Sequence, residues 1–214
     1  MKKGLTELAF LLDRSGSMSG LESDTIGGYN GLIEKQRKEP GEATVTTVLF
    51  DDRYELLHDR CALAGVSPIT EKEYYVRGNT ALLDAIGRTI AKLDNAISHT
   101  AESERPERVM VVITTDGMEN ASREFSAAQV KSMIEAHKEK GWEFLFLGAN
   151  IDAVATAARF GIARDRAVRY CADGAGTQLN YQAVDAAITS FREARPLAAN
   201  WKQAIEQDYQ TRGK

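Results

Sequence analysis

Apolar residues in this chain fall into two patterns, short unbroken runs and stripes at helical spacing. Leu8-Ala9-Phe10-Leu11-Leu12 and Val109 to Ile113 are unbroken runs, the signature of strands buried on both faces, and Trp142 to Leu147, interrupted only by Glu143, reads as another buried strand. Thr44 to Phe50 is rich in β-branched residues, Asp51-Asp52 supplies turn chemistry, and Arg53 to Leu57 returns, which predicts a hairpin. Leu21 to Lys38 places Ile26, Tyr29, Leu32 and Ile33 on an amphipathic helix stopped by Pro40-Gly41. Leu83, Ile86, Ile90, Leu93 and Ile97 stripe a second helix, and the polar stretch His99 to Glu107 predicts a loop. Ser126 followed by Gln129 has the form of a capping box. Val130, Met133, Ile134 and His137 then mark one face of a third helix, closed by Gly141. Ile151 to Phe160 predicts a short helix capped by Gly161, Ala167 to Tyr170 a last strand, and Val184, Ala187, Ile188 and Phe191 a final helix. Gly174 to Thr177, just before it, reads as a flexible loop.

Strands alternating with helices predict the α/β class: a doubly wound, mostly parallel six-stranded sheet with one antiparallel edge strand and helices on both faces. The 214 residues suit one domain over 1–193, followed by a polar extension over 194–214. That tail reads as a helical extension or a partly disordered segment, with Trp201 and Tyr209 as its docking points. A hydrophobic content of 43% and a formal charge of −4 describe an ordinary globular protein and give no reason to expect nucleic acid as a partner. No apolar run reaches the length of a membrane span. The basic start Met1-Lys2-Lys3 leads straight into Asp13 without a small-residue cleavage site, so a secretory signal is not expected. Cys61 and Cys171 are far apart and lack C-x-x-C spacing, so free thiols and a cytoplasmic location are the expectation.

The candidate chemistry gathers where strands end. Asp13-Arg14-Ser15-Gly16-Ser17 follows the first run and presents one carboxylate and two hydroxyls spaced two apart. The loop Arg77-Gly78-Asn79-Thr80 leads into the second helix and offers the Thr80 hydroxyl, while Thr114-Thr115-Asp116-Gly117 ends another run. Ligands of open parallel sheets collect beyond the carboxyl ends of strands, so Asp13 and Asp116 share an edge if their strands are neighbours. An all-oxygen array suits a hard divalent cation, and Mg²⁺ characteristically keeps exchangeable positions. Neutral hydroxyl ligands leave such a cation electrophilic.

The three segments LLDRSGSM, GNTALLDAI and ITTDGMEN together resemble the metal-ion-dependent adhesion site of the von Willebrand factor A domain family. The resemblance runs from about Leu5 to about Phe191, with Asn79 standing where many members carry a second glycine. It implies a Rossmann-like fold and a metal site of Asp13, Ser15, Ser17, Thr80 and Asp116. Ser15, Ser17 and Thr80 would be direct ligands, with Asp13 and Asp116 acting through waters or hydrogen bonds. The implied metal is Mg²⁺, with Mn²⁺ or Ca²⁺ as alternatives. The implied partner is a protein supplying a Glu or Asp carboxylate, which makes the protein a binding module and not an enzyme. Short stand-alone bacterial and phage members are the narrower likeness.

Blander readings exist for each residue. Ser15 and Ser17 suit caps of the helix starting near Gly20, and Asp84 suits helix N-terminal charge complementarity. Asn150 and Asp152 follow the Trp142–Leu147 strand and could rim the same face, with a cap of the following helix at Asn150 the preferred reading, while Met118 and Glu119 are expected to shape the rim near Asp116. A metal-dependent hydrolase or phosphatase is the rival function, but no histidine falls in the three segments and G-x-S-x-G is absent. A purely structural metal in an assembly protein is the other rival. His58, His99 and His137 are isolated, which argues against zinc.

Overall fold

A computed structural model describes residues 1–213. The first strand, β1 (Lys2–Asp13), lies at the centre of a six-stranded sheet ordered β3-β2-β1-β4-β5-β6. Its neighbours β2 (Glu42–Phe50) and β4 (Pro106–Thr115) both run parallel to it. Strands β5 (Glu143–Gly148) and β6 (Ala167–Arg169) continue the parallel set, and β3 (Tyr54–Ala62) pairs antiparallel with β2 at the edge. This is the expected mixed sheet with one antiparallel edge.

The unbroken apolar runs are explained by two cores. Leu8, Phe10 and Leu12 of β1 face one layer, where they meet α1 (Glu22–Gln36), α5 (Gly174–Arg192) and Ile205 of α6 (Gln203–Arg212). Ala9 and Leu11 face the other, formed by α2 (Leu82–Ser98), α3 (Ala127–Glu139) and α4 (Ala153–Arg159). Side chains alternate across a strand, so β1 must be apolar at every position from Leu8 to Leu12 to serve both. The capping box of α3 is present as expected, with Ser126 and Gln129 each bonding the other's backbone N–H.

Several local expectations need correction. Gly174 to Thr177 is the first turn of α5 and not a flexible loop, because the Asp173 side chain accepts the Gly176 N–H at 2.8 Å and starts the helix. Asn150 does not cap α4; the cap is Asp152, whose side chain accepts the Ala155 N–H at 3.0 Å. Strand β1 begins well before Leu8 and buries Glu7, whose carboxylate is satisfied by Thr44, Thr46 and Arg60. The tail is helical over α6, and it docks through Trp201 Nε1 on the Asp165 carbonyl and Lys202 Nζ on the Arg164 and Ala167 carbonyls.

Candidate metal centre

The chain leaves β1 for one flank of the sheet and returns through β4 on the other, so the carboxyl ends of these two strands border a crevice. Such switch points are where open α/β sheets bind ligands. Three loops meet there, held by main-chain bonds. The Gly16 N–H donates to the Gly78 carbonyl at 3.1 Å and the Arg77 N–H to the Arg14 carbonyl at 2.9 Å. The Asn120 N–H donates to the Thr80 carbonyl at 3.0 Å, while Asn120 Oδ1 accepts the Thr80 N–H at 2.9 Å. Gly78 has φ +65°, and a Cβ there would stand 2.3 Å from Asp52 Oδ1, so the loop that delivers Thr80 depends on this glycine.

All five residues singled out in the sequence converge. Thr80 Oγ1 donates to Ser15 Oγ at 2.9 Å, and Ser15 Oγ lies 3.0 Å from Ser17 Oγ. The Ser17 hydroxyl also faces the Asp116 carboxylate across the cleft floor. Asp13 sits beneath them, accepting the Ser15 N–H at 2.7 Å through Oδ1 and the Thr115 hydroxyl at 2.5 Å through Oδ2. Burial pushes the Asp13 pKa up to about 6, against the opposing effect of the Thr115 and Ser15 hydrogen bonds. Burial likewise raises Asp116, with the Ser17 and Asn150 bonds pulling the other way. Neither serine serves as a helix cap: Ser15 makes no side-chain capping bond, and α1 starts from Leu21 without one.

The arrangement fits a hard cation on three counts. Asp116 Oδ1 is buried without a hydrogen-bond partner, which a carboxylate oxygen tolerates only at a cost. A Cβ on Gly117 would stand 2.6 Å from Thr80 Oγ1 and 2.8 Å from Ser17 Oγ, so glycine keeps the space between those hydroxyls clear. The donors are all oxygen, and among the described residues no cluster of three His, Cys, Asp or Glu side chains offers another metal site. Above them opens a cleft of about 350 Å³ lined by Asn79, Met118, Asn120, Asn150 and Ile151 along with the site residues.

The flanking residues divide. Met118 lines the cleft and is 73% exposed, as a rim residue should be. Glu119 does not rim it; its carboxylate accepts the Leu83, Ala121 and Ser122 N–H groups and so caps α2. Asp84 is structural for a reason other than helix charge, since it accepts the N–H groups of Arg123, Glu124 and Phe125. Asn150 belongs to the rim: it adopts φ +52° and its Nδ2 stands 3.4 Å from Asp116 Oδ2. Arg14, silent in the sequence, is fully buried and donates to Asp51 and Glu55 side chains and to the Glu73 carbonyl. Asp51 is therefore a turn residue neutralised by arginine, as its hairpin position suggested.

Solved structures place this architecture. The most informative likenesses are a von Willebrand factor type A protein from Catenulispora acidiphila (TM-score 0.59, 14% identity, covering 86% of this chain and 42% of that one) and proximal thread matrix protein 1 from the mussel byssus with a zinc-occupied MIDAS motif (TM-score 0.55, 15% identity, 87% and 46%). The fold is that of a von Willebrand factor A domain. Manganese-loaded TRAP protein from Plasmodium vivax shares it more loosely (TM-score 0.50, 18% identity, 69% and 58%). The chain spans less than half the length of the first two A-domain proteins. No protein-family model and no curated protein sequence matches it. In this chain Asp13 ends β1 and Asp116 directly follows β4, the two strands that border the crevice.

Proposed function

We propose that this A-type domain is a divalent-metal-dependent protein-binding module that captures an acidic side chain of a partner through Mg²⁺ held by Asp13, Ser15, Ser17, Thr80 and Asp116. The observation that carries the reading is the convergence of three hydroxyls on a buried carboxylate with an unpartnered oxygen, beneath an open cleft. Ser15, Ser17 and Thr80 would face the ion, Asp116 would supply the nearby negative charge, and Asp13 would fix the first loop through the Ser15 N–H. The ion, once bound, would supply an electrophilic centre for a visiting Glu or Asp carboxylate. Metal-bearing A-fold neighbours, loaded with manganese or zinc, support a divalent ion at this place in the fold.

A binding role is favoured over hydrolysis because the cleft is lined by no histidine, lysine or arginine, and Asp116 is the only ionisable group facing it. Among the described residues no helix is long and apolar enough to cross a membrane, and both cysteines are free. The free thiols suit the cytoplasmic location we propose, while the narrower bacterial or phage likeness rests on the three sequence segments alone.

The test is calorimetric titration with Mg²⁺, Mn²⁺ and Ca²⁺, followed by affinity capture from the native host with the ion or with EDTA. One site that disappears in Asp116→Ala, together with partners lost in EDTA and restored by Mg²⁺, is the expected result. Capture unaffected by EDTA overturns the reading, and turnover of phosphate esters abolished by Ser15→Ala would make the protein an enzyme.

A further inference from the structure

The first half of α5 presents an unexpected stripe to the core. Thr177, Asn180 and Tyr181 sit at helical spacing with Val184, and all are at least nine-tenths buried. Thr177 Oγ1, both polar atoms of the Asn180 amide and Tyr181 Oη have no hydrogen-bond partner within the protein. These atoms are not scattered. All three side chains line one closed pocket between α5 and the sheet, opposite Leu12 and Thr114 and beside Tyr170. Tyr181 is held there from behind: a Cβ on Gly28 would stand 2.0 Å from its ring, so α1 is thinned at this point to let the ring lie flat against it.

Four orphaned polar atoms around one pocket demand an occupant that can both donate and accept, since a buried group without a partner costs about 1–3 kcal/mol. The pocket leaves about 10 Å³ for the centre of a water-sized sphere. One water needs roughly 10–15 Å³ by that measure, together with two to four polar partners. Nothing larger fits, and an apolar occupant would leave every orphan in place.

We propose that this pocket binds one structural water, bonded to the Thr177 hydroxyl, the Tyr181 hydroxyl and the Asn180 amide. The floor of the pocket is built from Leu12 and Thr114, each one residue short of a side chain that holds the metal loops: Asp13 and Thr115. The water thus bridges three side chains of α5 where that helix faces the ends of the two central strands, next to the candidate metal centre. This inference stands apart from the metal reading, because it needs no ion.

The test pairs crystallography with two shape-preserving variants, Tyr181→Phe and Thr177→Val. A high-resolution crystal structure should show a single solvent peak within hydrogen-bonding distance of Thr177, Asn180 and Tyr181. Each variant should lower the Tm by about 2–4 °C, the shift expected when one hydrogen bond to a buried water is lost in a domain of this size. The double variant should lose less than the sum, because both hydroxyls share one water. A pocket without density overturns the proposal, as does a Tm that stays constant or rises in either variant, for removing a truly unpartnered hydroxyl relieves a penalty.

Discussion

Asp51 and Asp116 each stand one residue beyond a parallel strand at the same edge of the sheet, and both are buried, yet their surroundings are opposite. Asp51 accepts from Arg14 Nε at 2.9 Å, Arg77 Nε at 2.6 Å and the Arg53 N–H at 2.7 Å. Burial alone would raise its pKa, but those bonds and the two guanidinium charges hold it below the usual carboxylate range. Asp116 has only a long contact from Asn150, with the Ser17 hydroxyl nearby, and burial raises its pKa. A carboxylate whose lone pairs are filled by arginine is part of the scaffold. One left with an empty oxygen beside three hydroxyls has the surroundings of the cation site we propose.

The sharpest way to break this contrast is to remove each carboxylate in turn. Asp51→Ala leaves the Arg14 guanidinium buried with one of its three partners gone, and the expected loss is about 3–5 kcal/mol in urea denaturation. Asp116→Ala in EDTA removes an unfavourable buried charge and should be neutral or mildly stabilising. Equal losses in the two variants would erase the distinction. Acid sharpens it further. A carboxyl with a lowered folded pKa contributes stability above its unfolded value and loses it as pH falls through the folded one. The gap between wild type and Asp51→Ala should therefore narrow in acid, read from pH-dependent urea midpoints.

Mg²⁺ should produce the next largest effect. At an ion concentration 100 times its dissociation constant the folded state gains about 2.7 kcal/mol, seen as a rise in Tm that EDTA reverses. Wild type and Asp51→Ala should both respond, whereas Asp116→Ala should not. A response retained in Asp116→Ala would move the ion elsewhere.

This contrast was half legible in the sequence. Asp13, Ser15, Ser17, Thr80 and Asp116 could be read because each follows an apolar run or opens a helix, so chain-local pattern placed them at one edge. Arg14 sits among them and gave no signal. Its partners Asp51 and Glu55 lie across the sheet on the hairpin, and no periodicity links residues that meet only through strand order. Glu7 hid for the same reason, buried in β1 by an arginine from β3. Thr177, Asn180 and Tyr181 were missed because a polar residue in a helical stripe is normally read as facing solvent, and the stripe became apolar only from Val184. Asn150 was misread because Asp152, two residues on, is an equally good cap and the sequence does not show which residue takes φ +52°.

Gly117→Ala asks whether the space beside the hydroxyls matters as much as the carboxylate. The new methyl would press on Thr80 Oγ1 and Ser17 Oγ, and overpacking of this kind costs about 1–3 kcal/mol. The Mg²⁺-induced rise in Tm should fall or vanish although every candidate ligand is still present. A full response in Gly117→Ala would show that the ion does not sit between those hydroxyls.

The smallest effect concerns Asn150, where backbone and side chain contribute separately. Its amide stands 3.4 Å from Asp116 Oδ2, too long for a strong bond, while its φ of +52° favours glycine over any residue with a Cβ except asparagine and aspartate. Asn150→Gly removes the amide and keeps the backbone free, so stability measured in EDTA should shift by no more than about 0.5 kcal/mol. Asn150→Ala removes the same amide and adds the left-handed strain of a Cβ, about 1–2 kcal/mol. If the rim loop is held by its backbone, glycine will match wild type and alanine will fall below both. If the two variants lose the same amount, the amide's hold on Asp116 is the stronger contribution, and Asp116 is then less solitary than its unpartnered Oδ1 suggests.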